Sequence, residues 1–213
     1  MKSTFFVLLA LGVLMTAADA QTVYQLPFAS SGNTIELAVE NTSSIPASVT
    51  VEATDIPGWL HFTTMSSRLD AIAPGKQSSS TFTFSVDKTA PVGHQHTIRF
   101  VASASSGQSW TKDITLSVDP PERFELSQNY PNPFNPSTAI PFQLPKGARV
   151  RITVFNLLGQ EVAHLADGLY EPGYHEVTWN AAGCASGMYV YQLEARDGEE
   201  HTTVSRKTLV LLK

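Results

Sequence analysis

The chain has 213 residues, of which 42% are hydrophobic and 15% charged, and its formal net charge at pH 7 is −5. Such a mildly acidic chain lacks the clustered Lys and Arg that neutralise phosphates, which argues against nucleic acid as a partner. Its single cysteine, Cys184, excludes an intramolecular disulfide. Stability must therefore come from burial of apolar cores, which two domains of near-average size can provide.

The N-terminus has the three parts of a secretory signal peptide. Lys2 supplies a positive charge, Phe5 to Leu14 is a short apolar run, and Ala18-Asp19-Ala20 is a small-residue cleavage site before Gln21. The run is shorter than the roughly 20 apolar residues that a membrane helix needs. We therefore predict that residues 1–20 are a leader read by the Sec translocon and removed after Ala20, and that the remainder is exported as a soluble protein.

Between Gln21 and Asp119 apolar residues recur at every second position. The clearest stretches are centred on Leu37, Val51, Phe84, Phe100 and Leu116. This alternation gives each strand one face toward a core and one toward water, as in a half-buried antiparallel sheet. No helical period of comparable length appears. Many short strands within roughly 100 residues predict a β-sandwich of immunoglobulin type.

Pro-Gly pairs mark turns in this first domain. Ile56-Pro57-Gly58-Trp59 and Ala73-Pro74-Gly75-Lys76 place proline and glycine at central positions, which predicts two type II turns with positive φ at the glycines. The stretch from Ala73 to Gly93 resembles the bacterial Ig-like modules that accompany secreted enzymes and surface proteins. The resemblance implies an Ig-like domain over residues 21–119.

A proline-rich segment separates this domain from the next. Adjacent prolines in Asp119-Pro120-Pro121-Glu122 stiffen the chain and remove backbone donors, which predicts a boundary. Three further prolines in Tyr130-Pro131-Asn132-Pro133-Phe134-Asn135-Pro136 prevent a helix and disfavour a central strand. We predict a linker and extended lead-in over residues 120–138, with Tyr130 and Phe134 free to pack onto the sheet that follows.

Alternating apolar residues return beyond this segment in six stretches. The predicted strands are Ala139–Leu144, Val150–Phe155, Glu161–Leu165, His175–Trp179, Met188–Glu194 and Thr203–Leu212. Turn residues separate them at Asn156 to Gly159, at Pro172-Gly173 and at Asp197-Gly198. Residues 139–213 therefore form a second small sandwich. The predicted fold class is all-β, with two immunoglobulin-like antiparallel β-sandwiches in tandem after a cleaved signal peptide.

Five motifs follow one another in a fixed order in this second half. They are Tyr130-Pro131-Asn132-Pro133-Phe134, Val154 to Val162 with Gly159, Gly173 to Asn180 with Trp179, Ala185 to Tyr191 with Gly187 and Tyr189, and Lys207 to Lys213. No single motif is decisive. The ordered set, which extends from Phe124 to the last residue, resembles the type A C-terminal sorting domains of the type IX (Por) secretion system.

The resemblance implies a small Ig-like sandwich, also similar to the Ig-like domain of flagellar hook-capping proteins, that an outer-membrane translocon recognises from the periplasm. The turns at Gly159, Gly173 and Gly187 and the terminal strand ending in Lys213 would carry recognition. A sortase-like protease would cut between residues 119 and 128 and could transfer the cargo to surface lipopolysaccharide. The implied location is the cell surface or the medium.

The terminal strand has two compatible interpretations. Leu209 to Leu212 is an uninterrupted apolar run, and Arg206, Lys207 and Lys213 lie at its ends. An edge strand of this kind could be extended by a partner through β-addition, which draws affinity from main-chain hydrogen bonds. The same strand could simply complete the core. The sequence leaves both open.

No catalytic or metal-binding pattern is evident. His94-Gln95-His96 places two imidazoles on one face of a predicted strand, but two ligands do not make a metal site. The serines lack a nucleophile-elbow pattern, and Cys184, which could pair with His175, is a lone loop or strand-end thiol of the kind that is more often a small structural residue. We therefore expect no catalytic residues, no metal, no cofactor and no enzymatic activity.

The tryptophans suggest an alternative role for the first domain. Trp59 and Trp179 lie where sandwich-core aromatics are expected, whereas Trp110, beside Ser109 and Thr111, is predicted to be exposed and available to a ligand. The main interpretation is an Ig-like cargo or spacer followed by a sorting domain. The alternative is a surface adhesin or carbohydrate-binding module that uses Trp110. A hydrolase is disfavoured, because the first domain is short and poor in acid–base groups.

Overall fold

The computed structural model describes residues 4–11 and 22–213, and every regular element within these ranges is a β-strand. The chain separates into two compact units between Asp119 and Pro120. Each unit is an immunoglobulin-like sandwich around its own buried core, so the predicted all-β fold class is confirmed. No helix in the described ranges is long and apolar enough to span a membrane.

The first unit is built from short strands in two sheets. Its described strands are β1 (Thr4–Leu11), β2 (Val23–Leu26), β3 (Asn33–Asn41), β4 (Ala47–Thr54), β5 (Leu60–Phe62), β6 (Ser66–Ile72), β7 (Gln77–Val86), β8 (Gln95–Ala104) and β9 (Ser109–Val118). One sheet has the order β1-β3-β7-β5 and the other β2-β9-β8-β4-β6. All the stretches of predicted alternation lie on β3, β4, β7, β8 and β9, which form the centre of the sandwich.

Part of the predicted leader takes part in the first sheet. The backbone of β1 runs parallel to β3, from Thr4 opposite Thr34 to Leu11 opposite Asn41. The predicted cleavage residues Ala18, Ala20 and Gln21 lie outside the described residues.

The inward faces of the two sheets form the first core. Phe82, Phe84, Phe100 and Leu116 are essentially inaccessible to solvent. Phe82 and Phe100 come from different sheets, and their ring centroids lie 5.0 Å apart. Burial of such side chains contributes about 1.5–3 kcal/mol each, which is how this unit is stabilised without a disulfide.

The two Pro-Gly turns of this unit differ. Gly75 has a φ of +66°, and the Lys76 N–H donates to the Ala73 carbonyl at 3.1 Å, as the sequence predicts. The prediction of positive φ at Gly58 is wrong, because the turn is closed one residue later by the Leu60 N–H on the Pro57 carbonyl. That shift puts Trp59, which is 9% exposed and part of the core, where a type II turn would need glycine.

The second unit repeats the two-sheet plan. Its strands are β10 (Glu125–Leu126), β11 (Ser137–Leu144), β12 (Ala148–Phe155), β13 (Glu161–Tyr170), β14 (Gly173–Asn180), β15 (Gly187–Asp197) and β16 (Thr202–Leu211). The sheets have the orders β10-β11-β14 and β13-β12-β15-β16. The six predicted strands are all present. The largest difference is β13, which continues five residues beyond its predicted end.

The lead-in places Phe134 in the second core, and Phe124 packs against that core at its margin. Phe134 is 2% exposed, and its ring lies 5.4 Å from that of Trp179, which in turn contacts Tyr189. Tyr130, which the sequence left free to pack there as well, does not do so: its side chain is 80% exposed, and the residue is held through its backbone, which exchanges two hydrogen bonds with Ala139.

The lead-in also departs from the predicted extended path. Residues 131–133 and 135–136 form bends, and the peptide bonds before Pro131, Pro133 and Pro136 are cis. Residues 125–126, which the sequence places in the linker, already belong to the second sandwich as β10.

Candidate recognition site

The terminal strand β16 both borders a sheet and completes the core. It lies at one end of the order β13-β12-β15-β16, so among the described strands its partner is β15. Leu209 and Leu211 point inward and are fully buried, whereas Leu212, just beyond the strand, is 53% exposed. The strand therefore completes the core and also lies at the edge of its sheet, while its extension by a partner stays a prediction.

The lead-in covers the second half of this strand. The Gln128 side chain donates to the Thr208 carbonyl at 2.7 Å. The Phe134 N–H donates to the Val210 carbonyl at 2.9 Å, and the Leu212 N–H donates to the Phe134 carbonyl at 3.0 Å. The edge is thus sealed from Thr208 onward by residues about 80 positions earlier in the chain.

Asn132 gives a chemical reason for part of the Tyr-Pro-Asn-Pro-Phe motif. Its Oδ1 accepts a hydrogen bond from the Val210 N–H at 3.0 Å. The side-chain carbonyl therefore takes the place that a neighbouring strand would occupy. Pro133, next to it, is exposed and has no N–H to donate.

The first half of β16 remains open. Because strands have a period of two residues, the backbone groups of Val204 and Arg206 point the same way as those of Val210. Within the described part of the chain, no backbone hydrogen bond from another segment meets them. Val204 is 49% exposed, and the Arg206 guanidinium donates to the Gln192 side chain. Along β16, this half is where a partner strand could add to the sheet.

The last residue is anchored rather than free. The Lys213 backbone N–H donates to Ser186 Oγ at 3.1 Å, and its Nζ donates to the Ala182 carbonyl at 2.7 Å. The Tyr189 hydroxyl donates to the Ala185 carbonyl in the same loop at 2.7 Å. These hydrogen bonds hold Lys213 against the β14–β15 loop.

A buried tyrosine fixes the start of the lead-in. The Tyr191 hydroxyl donates to the Ser127 carbonyl at 2.7 Å and accepts from the Asn129 N–H at 3.0 Å. The Asn129 side chain in turn donates to Thr138 Oγ1 and to the Pro131 carbonyl. Burial raises the pKa of Tyr191 to about 12, and the hydrogen bond from Asn129 opposes that rise only in part. The hydroxyl is therefore neutral at physiological pH.

Sequence reasoning missed Tyr191 and Asn129 as functional positions. The sequence did contain a signal for Tyr191, because it follows Tyr189 at strand spacing, which places the two tyrosines on one face of the strand. In the structure both side chains are buried. A buried tyrosine hydroxyl needs a polar partner. The sequence gives no indication that the partner would be the lead-in 62 residues away.

We define the terminal edge as residues 128–134, Met188 and residues 208–213. It exposes apolar side chains that the core does not require: Met188 is 48% exposed, and Tyr130 and Leu212 are also exposed. Two other exposed apolar side chains lie at opposite ends of the β12–β13 hairpin: Leu158 is 83% exposed in its turn, and Leu169, opposite Arg149, is 84% exposed. The terminal edge is a candidate surface, and these two leucines provide a comparison away from it.

The predicted recognition glycines lie in three separate connections. Gly159 has a φ of +77°, in a turn where Asn156 Oδ1 accepts from the N–H groups of Leu158 and Gln160. Gly173 has a φ of +128° and begins β14, while Gly187 has a φ of +154° and begins β15 opposite Leu211. Only Gly187 borders the terminal edge.

The remaining predicted motif residue, Lys207, is half-buried on β16 and lies opposite Tyr191 on β15. The arrangement thus brings together the lead-in motif, Gly187, the tyrosine pair and Lys213. It leaves Gly159 and Gly173 in turns that shape the fold.

The histidines and the cysteine considered for catalysis or metal binding make contacts that belong to the fold. His94 precedes β8, so only His96 lies on the strand, with its ring edge-on to Trp59 at 5.2 Å. His175 Nε2 contacts the Glu171 carbonyl at 2.7 Å, and Cys184 is half-buried against the second core. Within the described ranges the sheet does not place the two histidines on one face.

One group with metal-ligand chemistry was not anticipated. Asp197, Glu199 and His201 come together in the β15–β16 turn. Partial burial would raise the pKa of Asp197, but hydrogen bonds from the N–H groups of His201 and Glu199 hold it below the usual value. Because Asp197 already closes the turn and Glu199 lies 3.7 Å from Lys146, the group is explained by local structure.

Trp110 occupies a different environment from the predicted one. It is half-buried rather than exposed, because it lies on the inward face of β9, two strand periods before buried Ile114, and packs against the first core. The rest of its indole lines a cleft of about 560 Å³ at one end of the first sandwich.

Comparison with known proteins identifies the second domain. Residues 128–210 match the family of secretion system C-terminal sorting domains. No functionally curated protein matches the chain. The match begins at Gln128 and includes every contact described above between the lead-in and the terminal strand up to Val210.

The solved structures to which the chain is similar are distant from it in sequence. The CupB2 chaperone of Pseudomonas aeruginosa is 12% identical, with 90% of this chain and 99% of that chain covered and a TM-score of 0.29. Dimeric latent PorU from Porphyromonas gingivalis is 14% identical, with 87% and 19% covered and a TM-score of 0.36. CopC from Methylosinus trichosporium OB3b is 18% identical, with 42% and 93% covered and a TM-score of 0.33.

Proposed function

On the premise that the second domain is a type IX C-terminal sorting domain, we propose that this protein is a precursor whose first domain is carried across the outer membrane by that system. The Sec translocon would deliver it to the periplasm through the leader of residues 1–20. The observation that carries the proposal is the family match over residues 128–210. The assembled terminal edge supports it, because the lead-in motif, Gly187 and the terminal strand come together there.

Recognition would use the terminal edge. Its backbone is sealed from Thr208 onward, so a translocon component would read the exposed side chains of Tyr130, Met188 and Leu212 there. The open first half of β16, around Val204, would accept β-addition. Both features depend on the folded domain, because residues far apart in sequence build them.

The cargo would be non-enzymatic. In the described part of the first unit, His61 lies on β5, His94 precedes β8 and His96 lies on β8 with its ring against Trp59, and the only cysteine of the sequence belongs to the second unit. Acid–base or nucleophilic chemistry needs two or three such groups within hydrogen-bond reach. A module that binds or spaces at the cell surface fits this unit better.

Export is tested by comparing two strains of a host with type IX secretion, one of them lacking the outer-membrane translocon. With an antibody against the first domain, we expect the protein outside the cell in the first strain and in the periplasm in the second. Residues 1–119 alone serve as a control and should stay in the periplasm of both. Equal delivery of the full chain in both strains would refute the proposal.

Removal of the sorting domain is expected to occur N-terminal to β10. Leu126 is 3% exposed and the Ser127 N–H donates to the Pro141 carbonyl, so a protease cannot reach the backbone there without opening the sandwich. Glu122 and Arg123 are exposed. We predict that the released fragment begins between Glu122 and Phe124, which mass spectrometry of its N-terminus would show.

A fragment that begins after Leu126 would contradict this assignment. The same measurement on the cargo tests the surface attachment: transfer to lipopolysaccharide would leave a heterogeneous mass at its new C-terminus, whereas simple hydrolysis would leave a free carboxylate.

A further inference from the structure

We propose that the cleft beside Trp110 is a binding site for a neutral oligosaccharide. The cleft lies where the loop between β3 and β4 meets the turn between β8 and β9. Its volume of about 560 Å³ falls in the range of roughly 300–1,000 Å³ that is typical of small-molecule sites. This inference concerns the first domain and does not depend on how the second is recognised.

One wall of the cleft is apolar. Trp110 is fixed on its inner side by the first core, and Ile45, which is 67% exposed, and Pro46 line the same cleft. An indole anchored in this way presents a rigid apolar surface at little entropic cost. The aliphatic C–H faces of a pyranose ring are suited to such a surface.

The other lining residues are polar but uncharged. Thr42, Ser106 and Gln108 supply hydroxyl and amide groups that both donate and accept hydrogen bonds. None of the described residues that line the cleft is acidic or basic. A charged ligand would lose water there without gaining a counter-charge, which is costly. Sugar hydroxyls match the available groups.

The loop that carries this wall is pre-organised by Asn41, which is 2% exposed. Its Nδ2 donates to the carbonyls of Ile45 at 2.8 Å and Ile72 at 2.7 Å. Its Oδ1 accepts from both the backbone N–H and the Oγ of Ser43. Every polar group of the amide is used, so the loop shape is set before a ligand arrives.

The opposite wall is held as well. The Ala104 N–H donates to the Gln108 carbonyl at 2.8 Å, and the Gly107 N–H donates to the Ala104 carbonyl at 2.9 Å. Gly107 has a φ of +90°, which favours glycine at this point of the turn. The Ser105 N–H donates to the Ser48 carbonyl and ties the turn to β4. Both walls are therefore rigid, as a specific site requires.

The test uses residues 21–213 and hexasaccharides of glucose, mannose, galactose and N-acetylglucosamine, followed by calorimetry and tryptophan fluorescence. We expect at least one to bind with a Kd below about 1 mM. Trp110→Ala should weaken that binding about tenfold or more, as for an interface hot spot, while Trp110→Phe retains most of it. Thr111→Ala is the matched control, because Thr111 points to the opposite face of β9 and should leave affinity unchanged.

If Trp110→Ala fails to fold by circular dichroism, Gln108→Ala and Trp110→Phe carry the test, and Gln108→Ala should weaken binding about threefold or more. Absence of binding to all four hexasaccharides would overturn the proposal. So would binding that Trp110→Ala leaves unchanged, binding confined to a salt-sensitive polyanion such as heparin, or capture of an extended peptide in place of the sugars.

Discussion

A protein that lacks residues 206–213 is expected to remain in the periplasm of a host with type IX machinery. The deletion removes Lys213 and its contacts with the β14–β15 loop, and it removes Leu209 and Leu211, which are fully buried. Loss of a buried leucine side chain costs about 2–5 kcal/mol, and a domain has only about 5–15 kcal/mol of total stability. The deletion therefore unfolds the domain as well as removing its end.

Surface substitutions separate recognition from folding. Met188→Ser combined with Leu212→Ser alters exposed side chains of the terminal edge and should change the free energy of unfolding by less than about 1 kcal/mol. We expect surface delivery to fall about tenfold or more, because a few side chains at the centre of an interface carry most of its binding energy. Delivery is measured by fractionation and protease accessibility of the first domain on intact cells.

The matched control is Leu158→Ser combined with Leu169→Ser. These side chains are more exposed than the tested pair and lie in the same domain away from the terminal edge, so their replacement should leave delivery unchanged. Equal losses of surface delivery in the two double variants would mean that the translocon recognises the exposed apolar surface as a whole and not the terminal edge. Normal delivery of the Met188/Leu212 variant would place recognition elsewhere, with the open half of β16 as the next surface to test.

The alternating pattern predicted the long central strands of the first sandwich but missed β5 and β6. Alternation comes from the two-residue period of a strand, so it survives in any strand that buries one face. The three-residue β5 is too short to show the pattern. In β6 only Leu69 and Ile72 are buried, and they are three residues apart, so the strand lacks a regular period in the sequence.

The terminal edge shows why contacts at long range escaped prediction. The sequence suggested that Leu209 to Leu212 is an edge strand, and it is one. It could not show that Asn132 and Phe134 would occupy that edge, because hydrogen bonds across some 78 residues depend on the register of the whole sandwich. The prediction for Trp110 went wrong for a related reason. Its spacing from Ile114 places both side chains on the same face of β9, but Ser109 and Thr111 beside it suggested that the indole is exposed.

A single substitution outside the terminal strand should weaken the attachment of the lead-in to the sandwich. Tyr191→Phe removes the hydroxyl that joins the Ser127 carbonyl and the Asn129 N–H, leaving two buried groups unsatisfied at about 1–3 kcal/mol each. For a domain of this size, each kcal/mol shifts the Tm by about 4–8 °C. We expect the transition of the second domain to fall by about 10 °C or more in calorimetry, with the transition of the first domain as an internal reference.

Tyr189→Phe is the control for this change. Tyr189 is also buried, but its hydroxyl makes one hydrogen bond, to the Ala185 carbonyl in a loop, so its loss should cost only about 1 kcal/mol. An equal loss in the two variants would show that Tyr191 does not hold the lead-in specifically.

The titration of Tyr191 gives the same contact a pH signature. Its pKa is raised by burial from 10.0 to about 12 in the folded domain, so the folded state binds this proton more tightly than the unfolded state. The contribution is complete below pH 10 and is lost as the pH rises toward 12, by about 1.4 kcal/mol per unit. Wild-type stability should therefore decline more steeply across this range than that of Tyr191→Phe, and identical slopes would mean that the phenol is not buried in solution.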